Sequence, residues 1–128
     1  FQKGLGAMHS MAHVVGGRLN THHGRTIAIV MPYVLVANRH AIEARIVRLA
    51  RHIEIEPATF DGFVKWTCDL RARYSIPNTL AEVGVDEDDI PAFANAALRD
   101  PSTGTNPKPL NIDDFQRLFS ASIRGDLS

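Results

Sequence analysis

Residues 26–38 read TIAIVMPYVLVAN and contain the longest apolar run of the chain, Ile27 to Val36. Ten residues interrupted by Pro32 are too few to span a bilayer, which needs about 20. The stretch is apolar on nearly every side, as in a helix that is buried all round. Pro32 has no backbone N–H to donate and should kink this helix. We therefore predict a buried central helix over residues 26–38 and no membrane span.

Helical periodicity continues on both sides of this stretch, with no convincing β-strand pattern and no internal repeat. The pair Gly16–Gly17 should end the first helix. The other helices are predicted over Leu5–Val15, Ala41–Ile53, Ala58–Tyr74, Asp86 to about Leu98, and from Asn111 onward. The fold class predicted for residues 1–128 is a single all-α, bundle-like domain of about six helices.

Spacing also indicates which faces of these helices pack. Asp86 and Asn111 are suited to cap helix N-termini, and residues 100–109, with three prolines and a glycine, predict a loop. The apolar stripes predicted for the third, fourth and last helices are Ile42, Ile46, Leu49 and Ile53; Phe60, Phe63, Val64, Thr67, Leu70 and Arg71; and Phe115, Leu118, Phe119 and Ile123.

Charge and cysteine content exclude several classes of protein. Fourteen basic and fourteen acidic residues give a net charge of zero, which removes the simplest electrostatic reason to bind nucleic acid or an anionic membrane. The single cysteine, Cys68, cannot form an internal disulfide and suits a reducing compartment, so we expect a cytoplasmic protein. No basic partner for Cys68 is evident in the sequence, and we interpret it as a packed thiol.

The acidic residues are distributed unevenly. All fourteen lie from Glu43 onward, so the first 42 residues carry no carboxylate. An opening this apolar should be packed inside a larger protein, and we expect the chain to be a fragment of one.

Four histidines fall within this acid-free opening: His9, His13, His22 and His23. Imidazole is a common metal ligand and a proton carrier near neutral pH. His9 and His13 share a helix face, so both could bind one metal, or one could bind while the other faces substrate. His23, at the entry to the next helix, could close back on them. A purely structural role remains the competing interpretation for these four, and we interpret His40 and His52 as structural.

Residues 4–24, GLGAMHSMAHVVGGRLNTHHG, closely resemble the second half of the active-site signature of the iron-containing, group III alcohol dehydrogenases. This family is related to glycerol dehydrogenase and dehydroquinate synthase. The resemblance runs in order along nearly the whole chain, through residues 28–34 and Asn38, and again at residues 84–85, 89–91, 100–101 and 105–107.

The resemblance implies an enzyme of two domains, of which this chain is the later part of the C-terminal helical domain. The N-terminal α/β domain, absent here, would bind most of the NAD or NADP. In the family one aspartate and three histidines hold a divalent metal between the domains. By motif, His9 and His23 match the last two of these histidines. His13 matches the histidine beside the metal, nicotinamide and substrate, which implies a cofactor-binding and catalytic role in proton transfer.

The implied function is metal-dependent, NAD(P)-linked oxidation of an alcohol or reduction of an aldehyde, with Fe²⁺ expected and Zn²⁺ as the alternative. No role carries over to His22. The expected partners are the small-molecule substrate, the N-terminal domain and further copies of the subunit, and the chain alone should be inactive. Val14 and Lys108 depart from the family's usual proline and arginine, which puts the cleft shape in doubt.

Two alternatives stay open. The chain could be a non-catalytic helical fragment with a packing or assembly role. The parent protein could instead be a zinc polyol dehydrogenase or a maleylacetate reductase-like member of the same superfamily.

Overall fold

Six α-helices dominate the computed structural model, which describes residues 6–19, 23–106 and 109–127, without the side chains of residues 18, 23, 102 and 105. Short 3₁₀ turns lie at Leu80–Val83, Glu87–Asp89 and Pro101–Thr105. No strand occurs in the described ranges, which confirms the all-α prediction. The helices are α1 (Gly6–Leu19), α2 (His23–Ala37), α3 (Arg39–His52), α4 (Phe60–Arg73), α5 (Ile90–Arg99) and α6 (Ile112–Arg124).

Helix α2 is the centre of the packing. It contacts α1, α4 and α6, while α5 packs between α1 and α6, and α3 packs on α4. The side chains of Ile29, Val30, Val34 and Leu35 are all at most 1% exposed. The predicted buried helix is therefore confirmed, although it begins earlier than expected, at His23. None of the helices in the described part of the chain has the length and apolarity that crossing a bilayer demands.

Pro32 lies inside α2 without ending it, and the predicted kink angle stays a prediction. Proline cannot donate a hydrogen bond to the preceding turn, which loosens the backbone there. Arg71 of α4 is buried and donates from Nη1 to the carbonyl oxygen of Ile29, in that turn, at 2.8 Å. Its Nη2 lies 3.8 Å from Cys68 Sγ. Cys68 therefore does have a basic neighbour, which the sequence analysis missed although Arg71 lies one helical turn further on.

The predicted end of α1 at Gly16–Gly17 is wrong, because the helix continues to Leu19. Each helical glycine costs about 1 kcal/mol relative to alanine. That cost is outweighed here by burial, since α1 is packed against α2, α5 and the 101–105 turn. The side chain of Val15, next to the pair, is fully buried. Tertiary packing, which a local pattern does not show, has overridden the stop signal.

One predicted stripe also needs correction. Ile42 and Ile46 are buried as expected, but α3 ends at His52 and leaves Ile53 41% exposed. The chain turns there, and Ile55 packs into the core instead. The helical spacing predicted Ile53 as a buried residue because it was extended one residue beyond the end of the helix.

The caps and faces of the later helices agree with prediction. Asp86 accepts from Asp88 N and starts the turn that leads into α5. Asn111 accepts from Asp114 N at 2.9 Å and starts α6. The predicted loop after α5 instead contains the 3₁₀ turn Pro101–Thr105. All four predicted stripe residues of α6 are at most 8% exposed: Phe115, Leu118, Phe119 and Ile123.

Candidate functional site

Helix α1 carries two of the candidate residues. His9 is half-buried, and His13 is half-exposed, with 49% of its side chain accessible. Their spacing of four residues places them on one face of α1, with Cβ atoms about 6 Å apart. The helix also packs against α2, α5 and the 101–105 turn, and Ala7, Met11 and Val15 on it are fully buried.

Helix α1 is joined along its length to the segment that follows α5. Ala7 N–H donates to Asn106 Oδ1 at 3.3 Å, Ser10 Oγ lies 2.7 Å from Thr103 Oγ1, and His13 Nδ1 lies 2.9 Å from Asp100 Oδ2. From one contact to the next, the residue number rises by three on α1 and falls by three in the segment after α5. We call this set of three contacts the polar ladder. Thr103 lies in the 3₁₀ turn after α5, and Asp100 and Asn106 directly flank that turn.

The first contact of the ladder caps α1. Ala7 lies in the first turn of the helix, where backbone N–H groups have no acceptor within the helix. Asn106 supplies that acceptor from 99 residues away. Asn106 Nδ2 also donates to Oδ1 of the buried Asn38 at 2.8 Å. Asn38 Nδ2 in turn donates to the carbonyl oxygen of Val34. One amide side chain thus links the start of α1 to the end of α2.

The middle contact is a chain of hydroxyl groups. Thr103 Oγ1 donates to the carbonyl oxygen of Ala97 at 2.6 Å, near the C-terminus of α5. Ser10 Oγ lies 2.7 Å from Thr103 Oγ1, and Ser10 also donates to the carbonyl oxygen of Gly6 at 3.1 Å. Ser10 is fully buried, so this chain satisfies a polar group that would otherwise destabilise the interior. It also fixes α1 against α5.

The third contact brings a carboxylate to the histidine face. Asp100, with only 15% of its side chain exposed, pairs with His13. The first 42 residues contain no acidic residue, so this carboxylate comes from a distant part of the chain. The two residues are 87 positions apart, and only the Asp100–Pro101 and Thr105–Asn106 matches to the family pattern pointed to this segment.

His23 and His22 are less defined. The backbone of His23 begins α2, three residues before the predicted start, but its side chain is outside the described set, and so is the whole of His22. Among the described residues no group of three or more histidine, cysteine or acidic side chains is placed to hold a metal. Pairing of His9 with His23 at one metal therefore remains a prediction. His40 and His52, read as structural, are both exposed on α3.

Tyr33 is the buried titratable group nearest the middle of α2. Burial raises the pKa of its phenol above the ordinary value, and the nearby guanidinium of Arg71 opposes that shift. The phenol therefore keeps its proton at neutral pH and donates to the carbonyl oxygen of Asn78 at 2.5 Å. This contact holds α2 against the loop after α4. None of its partners belongs to the histidine face.

Comparison with known proteins adds to this geometry. Residues 2–123 match the model of the Fe-containing alcohol dehydrogenase family, C-terminal. The chain is 31% identical to the NADPH-dependent butanol dehydrogenase of Clostridium saccharobutylicum, over 94% of this chain and 33% of that protein. It is 36% identical to the 4-hydroxybutyrate dehydrogenase of Cupriavidus necator, over 96% and 34%.

A solved structure gives the same result for the fold. The alcohol dehydrogenase from Oenococcus oeni superposes with a TM-score of 0.83 at 27% identity, over 90% of this chain and 32% of that one. The chain thus spans about a third of the length of the relatives that it matches.

Proposed function

The chain belongs to the Fe-containing alcohol dehydrogenase family, and from that premise we propose that it is the metal-binding helical part of an NAD(P)-linked alcohol dehydrogenase. The reaction would be hydride transfer between a small alcohol and the nicotinamide, with the aldehyde or ketone as product. The nucleotide-binding domain of the parent protein would supply most of the cofactor site. The observation that carries the proposal is the histidine face of α1, held in place by the polar ladder.

The donor set fits a divalent metal. His9 offers an imidazole nitrogen, the ligand type that suits iron and zinc alike, on the same helix face as His13. We propose His9 and His23 as two ligands, with an aspartate and a third histidine supplied upstream in the parent protein. When bound, such a metal supplies Lewis acidity toward the alcohol or carbonyl oxygen, and the nicotinamide supplies or accepts the hydride.

His13 would move the proton. Its imidazole lies one helical turn from His9 and is half-exposed, so it can reach both the substrate hydroxyl and water. In oxidation it takes the hydroxyl proton and passes it on to solvent, and in reduction it returns a proton by the same path. Asp100, on its other side, holds the ring. On this face of α1, His9 would thus bind the metal and His13 would relay the proton.

The test of the proposal is metal-dependent turnover of the full-length protein. We expect reduction of NAD or NADP with a primary alcohol, its loss on chelation, and its return with Fe²⁺ or Zn²⁺. A panel of alcohols, polyols and unsaturated keto acids would separate an alcohol dehydrogenase from a polyol dehydrogenase or a maleylacetate reductase-like enzyme. Turnover that survives complete removal of the metal would contradict the proposal.

Residues 1–128 alone should show no alcohol-dependent reduction of NAD or NADP, because the proposed site is completed from outside them. The measurement is the change in absorbance at the nicotinamide band, made at high enzyme concentration. Measurable turnover by this chain would refute the division of the site. Absence of turnover in the full-length protein as well would favour the packing or assembly role.

A further inference from the structure

Asp100 holds a position that the proposed proton relay needs. Its carboxylate oxygen Oδ2 lies 2.9 Å from Nδ1 of His13, and its side chain is much less exposed than the imidazole, 15% against 49%. The less exposed carboxylate is therefore the more constrained partner, and the exposed ring is held by it. A carboxylate oxygen can only accept a hydrogen bond, so Nδ1 must carry the hydrogen.

We propose that Asp100 is the positioning residue of His13: it fixes Nδ1 as the protonated ring nitrogen, so that Nε2 is the atom that gains and loses the relayed proton. The proposal rests on the relay function of His13 given above. Nδ1 bears hydrogen in both the neutral and the charged ring, so the contact with Asp100 persists through the cycle. Histidines at metal and catalytic sites are commonly oriented by such a partner.

The proton balance is simple. In alcohol oxidation the O–H bond of the substrate hydroxyl breaks as an N–H bond forms at Nε2. That proton then passes from Nε2 to water, and His13 returns to its starting state. Asp100 neither gains nor loses a proton. The hydride leaves separately to the nicotinamide cofactor named in the proposed function.

The polar ladder explains why Asp100 can hold the ring so closely. Asp100 directly precedes the 101–105 turn, that turn is tied to α5 through Thr103, and Asn106 directly after it is tied to α1. The carboxylate is thus placed by contacts made three and six residues further on. Asp100 is also the C-cap of α5, and its backbone N–H donates to the carbonyl oxygen of Ala97 at 3.1 Å, which adds to this placement.

The first experiment is kinetic and uses the full-length, metal-loaded protein. Asp100→Asn keeps the size of the side chain, but its amide can donate to Nδ1 and stabilise the other tautomer. We expect kcat to fall about 10- to 100-fold, with KM and metal content little changed. Asp69→Asn, which removes an exposed ion pair with Lys65 on α4, is the matched control and should leave kcat unchanged. An unchanged kcat in Asp100→Asn would overturn the proposal.

A double-mutant cycle separates positioning from a merely structural effect. If Asp100 acts through His13, then Asp100→Asn should cost nothing further in a His13→Gln background. Equal losses in both backgrounds would mean that Asp100 acts elsewhere. Asp100→Glu, which keeps the acceptor, should retain more activity than Asp100→Asn. This ranking also guards against a folding defect in the asparagine variant, and its reversal would contradict the proposal.

Nitrogen-15 NMR of ring-labelled histidine gives a readout that does not depend on turnover. In the zinc-loaded full-length protein, the resonances that disappear in His13→Gln should show hydrogen on Nδ1 in the native protein. In Asp100→Asn they should shift toward hydrogen on Nε2. Identical spectra would overturn the positioning role. If instead His13→Gln retains native kcat while the spectra respond, the relay function fails and the positioning contact stands.

Discussion

Helices α1 and α6 are of similar length, yet they are specified in opposite ways. Helix α6 has its own N-cap, Asn111, and an apolar stripe that is buried on the core. Helix α1 has no acidic residue in its first turn and contains glycines, and its capping contact comes from Asn106, 99 residues away. The start of α6 is thus specified by residues next to it in the sequence. The helix that carries the candidate site depends on distant parts of the chain.

We expect the largest loss of stability from a substitution in the packing between α5 and α6. Phe119 of α6 is fully buried and meets Phe93 edge-on at 5.8 Å between ring centroids. Phe119→Ala should lower the free energy of unfolding by about 3–5 kcal/mol through lost burial and a residual cavity. Denaturant titration of the full-length protein measures this, with metal content per folded subunit unchanged. A selective loss of metal instead would break the separation of the two regions.

Removing the distant cap should cost less but act on the site. Asn106→Ala takes the acceptor from Ala7 N and the donor from the buried Asn38, and we expect a loss of about 1–3 kcal/mol. Because this contact is part of the polar ladder, kcat should fall as well. Asn95→Ala, on the exposed side of α5, is the control. A change in stability with native kcat would show that α1 keeps its place without the ladder.

The same contrast between α6 and α1 separates the features that were predictable from the sequence from those that were not. Caps, stripes and helix number are local properties, and Asn111, Asp86 and the α6 stripe were predictable from spacing. The contacts His13–Asp100 and Ser10–Thr103 join residues about 90 positions apart, so no periodicity reveals them. The errors at Gly17 and Ile53 have the same origin, since packing decided where α1 and α3 end.

The local cap of α6 should be worth about 1 kcal/mol. Asn111→Ala removes the acceptor for Asp114 N and should lower stability by that amount without touching kcat or metal content. Asn111→Ser, which preserves a capping oxygen, should recover most of the loss. If the alanine variant lowered kcat with no loss of stability, α6 would belong to the site rather than to the packing.

We expect the smallest change in stability at Gly17. If the glycine pair ended α1, as the sequence pattern predicted, a glycine would be required there. Gly17 lies inside α1, and a Cβ added there would meet nothing within 4 Å. Gly17→Ala should therefore stabilise the protein by about 0.5–1 kcal/mol. Gly125→Ala is the contrasting variant, because its φ of +77° and the approach of Thr79 Cγ2 at 3.1 Å make it destabilising. A destabilised Gly17→Ala variant would argue that α1 ends at the glycine pair.

We propose that the acid-free opening of the chain supplies two ligands, His9 and His23, of a metal site completed by residues outside it. The most direct measurement is metal content per subunit of the full-length protein with His9→Ala or His23→Ala, beside His52→Ala on the exposed end of α3. We predict loss of tightly bound metal and of turnover in the first two, and full metal content in the third. Native metal content with normal turnover in either His9→Ala or His23→Ala would contradict the account.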